Sequence, residues 1–310
     1  MMRKEKLNYT NTVFIASAHL LAAGAVLYLC FVHFSWWTAG LGLLWMALCG
    51  LAITGGYHRL FAHPTYKTVW PVRLFYLLFG AASIQNSALK WSSDHREHHA
   101  ETDHEEDPYN AQRGFWWSHI GWVLFEQDTQ DEPELNRVQD LARDPLVMFQ
   151  HNQYLWLAIL FSALVPAAIG LLWGDPIGAL LVAGFLRLVV QWHATFSINS
   201  FAHQIGSQPY SESTSARDSW VTALLTFGEG YHNYHHRFQG DYRNGVRWFH
   251  FDPTKWFVWG LAKVGMAKDL RRMPKHAIRR ARAATRRAKR ATEATSSRSR
   301  ANSSNAQRAR

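Results

Sequence analysis

The sequence predicts an all-α membrane protein with four transmembrane helices, arranged as two hairpins, and a helical cap on the cytoplasmic side. The first observation is a set of four apolar runs in two closely spaced pairs, each run long enough to cross a bilayer. The second is the placement of Lys and Arg, which flank the pairs and are missing from the hairpin tips. The third is a content of 17 His in 310 residues, most of them outside the apolar runs.

The first hairpin is predicted from residues 13–34 and 36–53. Its first run is an almost unbroken apolar stretch of 22 residues that begins at Val13. Trp36 and Trp37 lie at the tip, and the indole ring is favoured at the boundary between lipid and water. One such run alone is also compatible with a buried core helix. Two hairpins with this charge pattern favour membrane spans.

The second hairpin is predicted from about residues 154–173 and 177–198. The turn residues Gly174, Asp175 and Pro176 separate its two runs. Arg187 interrupts the last run. A charged residue inside a span is costly, so Arg187 is either a functional candidate or a structurally paired arginine near the boundary.

The flanking charges predict the orientation of the hairpins. Basic residues precede the first span and follow the second, at Arg3, Lys4, Lys6, Arg59, Lys67 and Arg73. The two hairpin tips carry no Lys or Arg. By the positive-inside rule, both termini and the segment between the second and third spans are expected in the cytoplasm.

The polar segments 57–150 and 199–267 are predicted to form the cytoplasmic cap. The first of these segments contains an apolar stretch, residues 71–88, which is 18 residues long and has histidines on both sides of it. We expect a helix on or partly in the cytoplasmic surface here, because a full crossing would separate the histidines on its two sides. The spans and the cap together make one membrane domain over residues 1–270.

Residues 271–310 are predicted to be a basic, disordered tail, because they are rich in Ala, Arg, Ser and Asn without an apolar stripe. From Lys268 to Arg310 there are 15 Lys and Arg against two acids, a net charge of +13. The whole chain has +10, so residues 1–267 carry about −3 (10 − 13). The basic balance therefore belongs to the tail, and no nucleic-acid role is predicted for the membrane domain.

Several common functional motifs are missing from the sequence. The two cysteines, Cys30 and Cys49, lie singly in apolar runs, which excludes a disulfide framework or a thiolate metal site. The pair Gly228-x-Gly230 lacks the third glycine of a dinucleotide-binding turn. No phosphate-binding loop or nucleophile elbow is present.

Eight histidines form three clusters in the cap. One is an H-x4-H pair and two follow the pattern H-x-x-H-H: His58, His63; His95, His98, His99; His232, His235, His236. At this His content the second pattern is expected about 0.05 times by chance in a chain of this length, and it occurs twice. The clusters therefore predict a metal centre rather than scattered surface histidines.

The spacing indicates how these side chains point. On a helix, residues i, i+3 and i+4 share a face, so His95 and His99 suit one metal, while His98 is offset toward a second. Imidazole suits iron, copper, zinc and nickel, and eight imidazoles exceed the coordination number of one ion. Two metals are the economical interpretation. His203, just past the last span, is equally compatible with a ligand or an ordinary histidine. Ordinary hydrogen-bonded roles are expected for the rest: His19, His33, His104, His119, His151, His193, His250 and His276.

These histidine boxes, in this order around two membrane hairpins, resemble those of the membrane-bound fatty acid desaturases, and most of all the acyl-CoA delta-9 (stearoyl-CoA type) desaturases. The resemblance covers roughly residues 8–260. Beyond the boxes, it rests on four short segments: 56–60 (GYHRL), 113–115 (RGF), 118–122 (SHIGW) and 199–200 (NS).

The resemblance implies a di-iron site in the cap, with two Fe ions. It implies that one iron is held by His58, His63, His95, His99 and His236. It implies that the other is held by His98, His203, His232 and His235, with Asn199 reaching it through a water. It further implies that Asn11, Asn86 and Asp94 bind the acyl thioester or its headgroup, and that Phe196 lies along the acyl path.

The implied activity is O2-dependent insertion of a cis double bond, at delta-9, into a saturated acyl chain. Reduction of O2 to water takes four electrons and the substrate supplies two, so an external donor of the ferredoxin, rubredoxin or cytochrome b5 type, with its reductase, is expected. A di-iron membrane hydroxylase of fatty acids or alkanes is the nearest alternative. A non-catalytic metal-binding membrane protein is an alternative of another class, although transport sites usually lie near the bilayer midplane.

The sequence leaves two acyl carriers open, because three positions depart from the acyl-CoA desaturase pattern. Basic residues that contact coenzyme A in the resembling family are replaced here by Ser93, Glu126 and Gln127. Arg96 and Arg113 are close enough in sequence to compensate. Both coenzyme A and a membrane lipid are therefore retained as carriers of the acyl chain.

Overall fold

The computed structural model describes residues 6–126 and 135–308, and helices make up most of this chain. The long helices are α1 (Tyr9–Phe31), α2 (Trp36–Ala62), α3 (Trp70–Ala82), α4 (Ala88–Glu101), α8 (Tyr154–Trp173), α9 (Pro176–Gln204), α12 (Pro253–Lys263) and α13 (Lys275–Arg308). The short ones are α5 (Trp122–Leu124), α6 (Gln139–Ala142), α7 (Pro145–Asn152), α10 (Trp220–Leu225) and α11 (His232–Arg237). Two-residue strands, β1 (Lys67–Thr68) and β2 (Ala267–Lys268), pair antiparallel.

Four of these helices, α1, α2, α8 and α9, are long and apolar enough to cross a membrane. This confirms the two predicted hairpins. Helix α1 begins earlier than predicted, because the side chain of Asn8 accepts a hydrogen bond from the backbone N–H of Asn11 and caps the helix. Large apolar side chains remain exposed along the spans, such as Leu20 at 75% and Leu43 at 75%, as expected for surfaces that contact lipid.

The predicted turn of the second hairpin also joins the two hairpins. The buried carboxylate of Asp175 accepts hydrogen bonds from the hydroxyls of Tyr28 on α1, at 2.8 Å, and Thr38 on α2, at 2.5 Å. It also caps the start of α9 by accepting from the N–H of Gly178. One carboxylate therefore fixes the end of three spans.

The last eleven residues of α2, Ala52–Ala62, are π-helical, and this explains the spacing of the first histidine pair. The N–H of His63 donates to the carbonyl of His58, an i to i+5 bond of 3.1 Å. In an α-helix, residues five apart point in different directions, but the wider π turn brings them to one face. The H-x4-H spacing is thus matched to this local backbone.

Close backbone packing sets α3 against the π-helical part of α2. A Cβ atom at Gly80 would lie 2.2 Å from the ring of Tyr57, and one at Gly56 would lie 2.5 Å from Tyr76. Helix α3 has 13 residues and is too short to span a bilayer, in agreement with the surface helix expected within residues 71–88.

Arg187 makes hydrogen bonds that connect two helices of the described part of the chain. Its buried guanidinium donates to the carbonyls of Ala183 and Ala82 and to the side-chain oxygen of Gln191, at 2.9–3.2 Å. These bonds tie α9 to the end of α3. Of the two alternatives left by the sequence, the structurally paired arginine agrees with this geometry.

The expectation of a disordered tail after residue 270 does not hold, since residues 275–308 form α13. Ala, Arg and Lys favour helix, and no Gly or Pro follows Pro274 in this segment. Helix α13 has a buried stripe that the sequence does not show as apolar, because the stripe consists of the small residues Ala281 and Thr285 beside Ile278. This stripe packs near Tyr210, Tyr234 and Phe238.

Candidate metal centre

Helix α4 presents the second histidine box toward α2. The side chain of Ser87 caps the helix by accepting from the N–H of Lys90. Trp91 stacks on the ring of His95, with centroids 4.8 Å apart and planes at 19°. This stacking and the helix cap fix the direction of the box histidines.

Five histidines form the first cluster, with one ring nitrogen of each within 4.8 Å of all the others: His58, His63, His95, His99 and His235. The Nε2 atoms of His63 and His95 lie 2.8 Å apart, and those of His95 and His99 lie 3.1 Å apart. Nε2 of His235 lies 3.0 Å from that of His58 and 2.9 Å from that of His99. Helices α2, α4 and α11 thus converge on one point.

Four histidines form the second cluster: His98, His203, His232 and His236. Nε2 of His236 lies 3.3 Å from Nε2 of His98 and 3.0 Å from that of His232. Nε2 of His203 lies 3.1 Å from that of His232. The structure therefore places His203, which the box pattern alone left undecided, beside three box histidines.

The division of ligands implied by the resemblance is wrong at two positions. His235 belongs to the first cluster and His236 to the second. The reason is helical geometry on α11, where the i, i+4 pair His232 and His236 shares a face and therefore one metal site. The same rule correctly places His95 and His99 together, so the sequence already contained the signal for the third box.

Both clusters fit metal ions. Burial and the neighbouring imidazoles lower the pKa far below its ordinary value in six of these residues: His63, His95, His99, His232, His235 and His236. The rings are therefore neutral near pH 7, which is the form that binds metals. Nine imidazoles with converging Nε2 atoms match an all-nitrogen site for a first-row transition metal.

Carboxylates behind the ligands orient the rings. A carboxylate oxygen of Glu229 lies 2.8 Å from Nδ1 of His58, and one of Asp107 lies 2.8 Å from Nδ1 of His98. Burial alone would raise the pKa of Glu229, but the charges of His58 and Arg59 outweigh it and lower this pKa. Such partners fix the tautomer and the ring orientation of metal ligands.

Three of the remaining ligands differ in their outer contacts. His203 donates from Nδ1 to the hydroxyl of Ser215 at 2.7 Å, and Ser215 donates to Asp103. The Nδ1 atoms of His99 and His232 have no hydrogen-bond partner among the described residues. Glu229, Asp107, Asp103 and Ser215 are not among the site residues predicted from the sequence. Of these, only Glu229 carried a signal, because it stands three residues before the third box.

A cavity of about 830 Å³ borders both clusters, since His58, His95, His98 and His232 are in its lining. All five other predicted site residues line it as well: Asn11, Asn86, Asp94, Phe196 and Asn199. Apolar side chains of α1 and α9, such as Phe14 and Trp192, lie in the same lining. A molecule with an apolar part and a polar part therefore matches the lining of the cavity.

The polar residues of the lining are held by contacts to the surrounding helices. Asn11 donates from its amide to the carbonyl of Val123 at 3.1 Å, and the N–H of Asn86 donates to the hydroxyl of Tyr154 at 3.0 Å. Asp94 accepts from Lys90 at 2.5 Å. Burial raises the pKa of Asp94 despite this contact.

Comparison with known proteins identifies the family. The family model for fatty acid desaturases matches residues 34–269. The chain belongs to the fatty acid desaturase family. It is 44% identical over 240 residues to acyl-CoA desaturase 1 of Saccharomyces cerevisiae, an alignment that covers 77% of this chain and 47% of the relative. It therefore spans about half the length of that relative.

Animal members of the family align over more of their length. Identity is 35% over 290 residues to human stearoyl-CoA desaturase 5, covering 91% of this chain and 86% of the relative. It is 35% over 281 residues to delta(9)-fatty-acid desaturase fat-7 of Caenorhabditis elegans, covering 89% and 83%. These findings confirm the resemblance derived from the histidine boxes and their surroundings.

The structure describes two of the three positions that depart from the acyl-CoA desaturase pattern. Ser93 is buried on α4. Glu126 lines the cavity and lies 3.8 Å from Lys6. Gln127 lies outside the described residues. Arg96 is held by the carboxylate of Asp140, at 2.7 and 2.9 Å, and by backbone carbonyls, so compensation by Arg96 would require breaking these contacts.

Three of the isolated histidines form a hydrogen-bonded chain beside the cavity and the histidine clusters. Nε2 of His19 on α1 lies 3.0 Å from Nε2 of His193 on α9, and Nδ1 of His193 lies 3.0 Å from Nε2 of His119. Nδ1 of His119 lies 2.9 Å from the hydroxyl of Ser200, the residue after Asn199. We call His19, His193, His119 and Ser200 the histidine chain.

Proposed function

We propose that this chain is an O2-dependent fatty acyl desaturase that introduces a cis double bond, at delta-9, into a saturated acyl chain. The observation that carries the proposal is the junction of two all-histidine clusters with a cavity that has apolar walls and polar residues. The names of three relatives, an acyl-CoA desaturase, a stearoyl-CoA desaturase and a delta(9)-fatty-acid desaturase, support the reaction and its position.

The first cluster would hold one iron and the second cluster the other, with Asn199 near the second through a water. When bound, iron supplies the activation of O2 and the one-electron chemistry that imidazole, an even-electron ligand, lacks. The protein's own contribution is placement. Glu229 and Asp107 fix His58 and His98, and the cavity brings one segment of an acyl chain to the histidines.

The reaction needs two electrons and two protons from outside, in addition to O2 and the acyl chain. A ferredoxin, rubredoxin or cytochrome b5 type protein with its reductase is the proposed donor. The basic residues that flank the first hairpin support a cytoplasmic position for the site and both termini, where such donors are available.

The acyl carrier is proposed to be coenzyme A, with a membrane lipid as the second candidate. The relatives' names favour coenzyme A. A specific observation favours the lipid, because Glu126 in the cavity lining would repel a phosphate and Arg96 is already held by Asp140. Labelled stearoyl-CoA and labelled phosphatidyl-stearate, supplied to membranes with reductant and with acyltransferases blocked, distinguish the two.

Expression in a host without its own desaturase tests the function. We expect new monounsaturated fatty acids with the wild type and none with His63→Ala, which removes a ligand of the first cluster. Analysis of fatty acid methyl esters by mass spectrometry identifies the products and the position of the bond. Hydroxylated fatty acids in place of double bonds would establish the hydroxylase alternative and contradict the proposal.

A further inference from the structure

Helix α13 covers the outer face of the helix that carries the third histidine box. Ile278 and Ala281 on α13 are buried in one cluster with Tyr234 of α11 and with Phe238, which directly follows this helix. Tyr234 directly precedes His235 of the first metal cluster. Since Tyr234 and Phe238 are four residues apart, they share a face that differs from that of His232 and His236. Helix α11 therefore lies between α13 and the metal-binding histidines.

The outward face of α13 is strongly basic. Between Lys275 and Glu293 there are eight Lys and Arg and a single acid, which is Glu293 itself. Lys289 lies 3.6 Å from Glu212, and Arg282 lies 5.3 Å from the ring of Tyr210. The remaining arginines are exposed, at positions Arg279, Arg280, Arg286, Arg287 and Arg290. They follow one another over about 17 Å of helix, at about 1.5 Å per residue.

The side chains of α13 do not match those of a helix that inserts into a lipid surface. Such a helix carries bulky apolar residues opposite its basic face. In the described part of α13 up to residue 295, the single large aliphatic side chain is Ile278, and it is buried against the cap. The contacts of Lys289 and Arg282 are likewise with the cap segment 208–212.

We propose that the exposed basic face of α13 is the docking surface for an acidic, soluble protein that carries one electron at a time. The inference rests on the proposed function, in which an acyl chain R–CH2–CH2–R′, O2, two electrons and two protons give R–CH=CH–R′ and two H2O. Two reduced carriers are oxidised in each turnover. A carrier docked on α13 lies against the helix that holds His232, His235 and His236, and opposite charge speeds its arrival.

The test uses the full-length protein in lipid nanodiscs with a plant-type [2Fe–2S] ferredoxin, an acidic one-electron carrier, kept reduced by NADPH and its reductase. The variant R280E/R286E/R287E reverses three exposed charges of α13. The control R143E/K263E/K268E changes the net charge equally at three exposed positions elsewhere in the cap. Product formation is also measured in a single turnover, in which dithionite and methyl viologen reduce the protein without O2, the excess reductant is removed and O2 is then added, because this reduction needs no docking surface.

We expect the α13 variant to raise the apparent KM for ferredoxin at least ~10-fold and to lose most of its dependence on ionic strength, within the usual range of electrostatic steering. The single-turnover rate with methyl viologen and the KM of the control should stay within ~2-fold of wild type. An unchanged KM in the α13 variant, or an equal rise in the control, overturns the proposal.

Three further outcomes separate the proposal from its alternatives. If the defect of the α13 variant disappears in nanodiscs without anionic lipid, the helix contacts lipid and the docking proposal is wrong. If wild type forms double bonds with methyl viologen but not with ferredoxin, docking fails while the proposed function stands. If wild type forms no double bonds with either reductant, the proposed function itself fails.

Discussion

Glu229→Gln is expected to weaken the first metal site while leaving the second intact. The carboxylate of Glu229 accepts from Arg59 at 2.8 Å and from Asn244 at 2.6 Å, and it lies 2.8 Å from Nδ1 of His58. An amide of the same shape turns one of these acceptors into a donor. At least one N–H then faces another N–H in a buried position.

The size of the effect follows from these contacts. Removing the only partner of a buried charge costs on the order of 3–5 kcal/mol. Arg59 keeps Asp252, 3.0 Å away, so we expect a smaller loss of about 2–3 kcal/mol in the free energy of unfolding. Loss of a carboxylate behind a ligand typically lowers metal affinity about 10–100-fold, which is about 1.4–2.7 kcal/mol.

The assay measures iron retained per chain during titration with a chelator, together with thermal unfolding. Wild type is expected to hold close to two irons, and Glu229→Gln to lose one of them at a lower chelator concentration. Asp107→Asn is the matched variant, because Asp107 contacts His98 of the second cluster and its change should release the other iron first. Unchanged chelator midpoints and unfolding temperature in Glu229→Gln would refute this reasoning.

Three other predictions follow from the structure. His63→Ala should abolish double-bond formation and lower the iron content without preventing membrane insertion, as measured by product analysis and metal analysis of the purified protein. Gly80→Ala should destabilise the fold by about 1–3 kcal/mol, because its Cβ would lie 2.2 Å from the Tyr57 ring, whereas Gly40→Ala, with nothing within 4 Å, should not lower the unfolding temperature. The hydrogen bond from Arg96 lowers the pKa of Asp140, although burial opposes it. This carboxylate therefore stabilises the fold above its ordinary pKa of 3.8, and the contribution is lost as the pH falls through the lower folded pKa. Asp140→Asn should flatten this acid limb in pH-dependent unfolding, and an unaltered limb would contradict the assignment.

The membrane spans could be predicted because length, apolarity and flanking charge are all local in the sequence. The ends of the spans were harder to predict from the sequence. Helix α2 continues to Ala62 by changing from α to π backbone, and the change depends on packing against α3, in which Gly80 contacts Tyr57. Helix α13 was missed for a related reason, because its docking partner Tyr210 lies more than sixty residues away in the sequence.

The histidine boxes identified the ligands, but their arrangement around two sites was only partly accessible. The rule that pairs His95 with His99 also pairs His232 with His236, and applying it to the third box would have given the observed clusters. Asp103 illustrates what no local pattern contains. It supports His203 through Ser215, and these three residues come from two segments about one hundred positions apart.

The histidine chain has a hydrogen count that does not balance for neutral rings. It ends at two carbonyls, since His19 Nδ1 lies 2.7 Å from the oxygen of Ile15 and the Ser200 hydroxyl lies 2.9 Å from that of Phe196. The chain therefore has an acceptor at each end and five contacts, each of which needs one hydrogen. Three neutral imidazoles and one hydroxyl supply only four hydrogens. Either one link lacks its hydrogen or the three rings share one additional proton. When the rings are neutral, their tautomers set which link lacks a hydrogen, and the tautomer of His119 decides whether the Ser200 hydroxyl, beside Asn199, accepts a hydrogen bond from it.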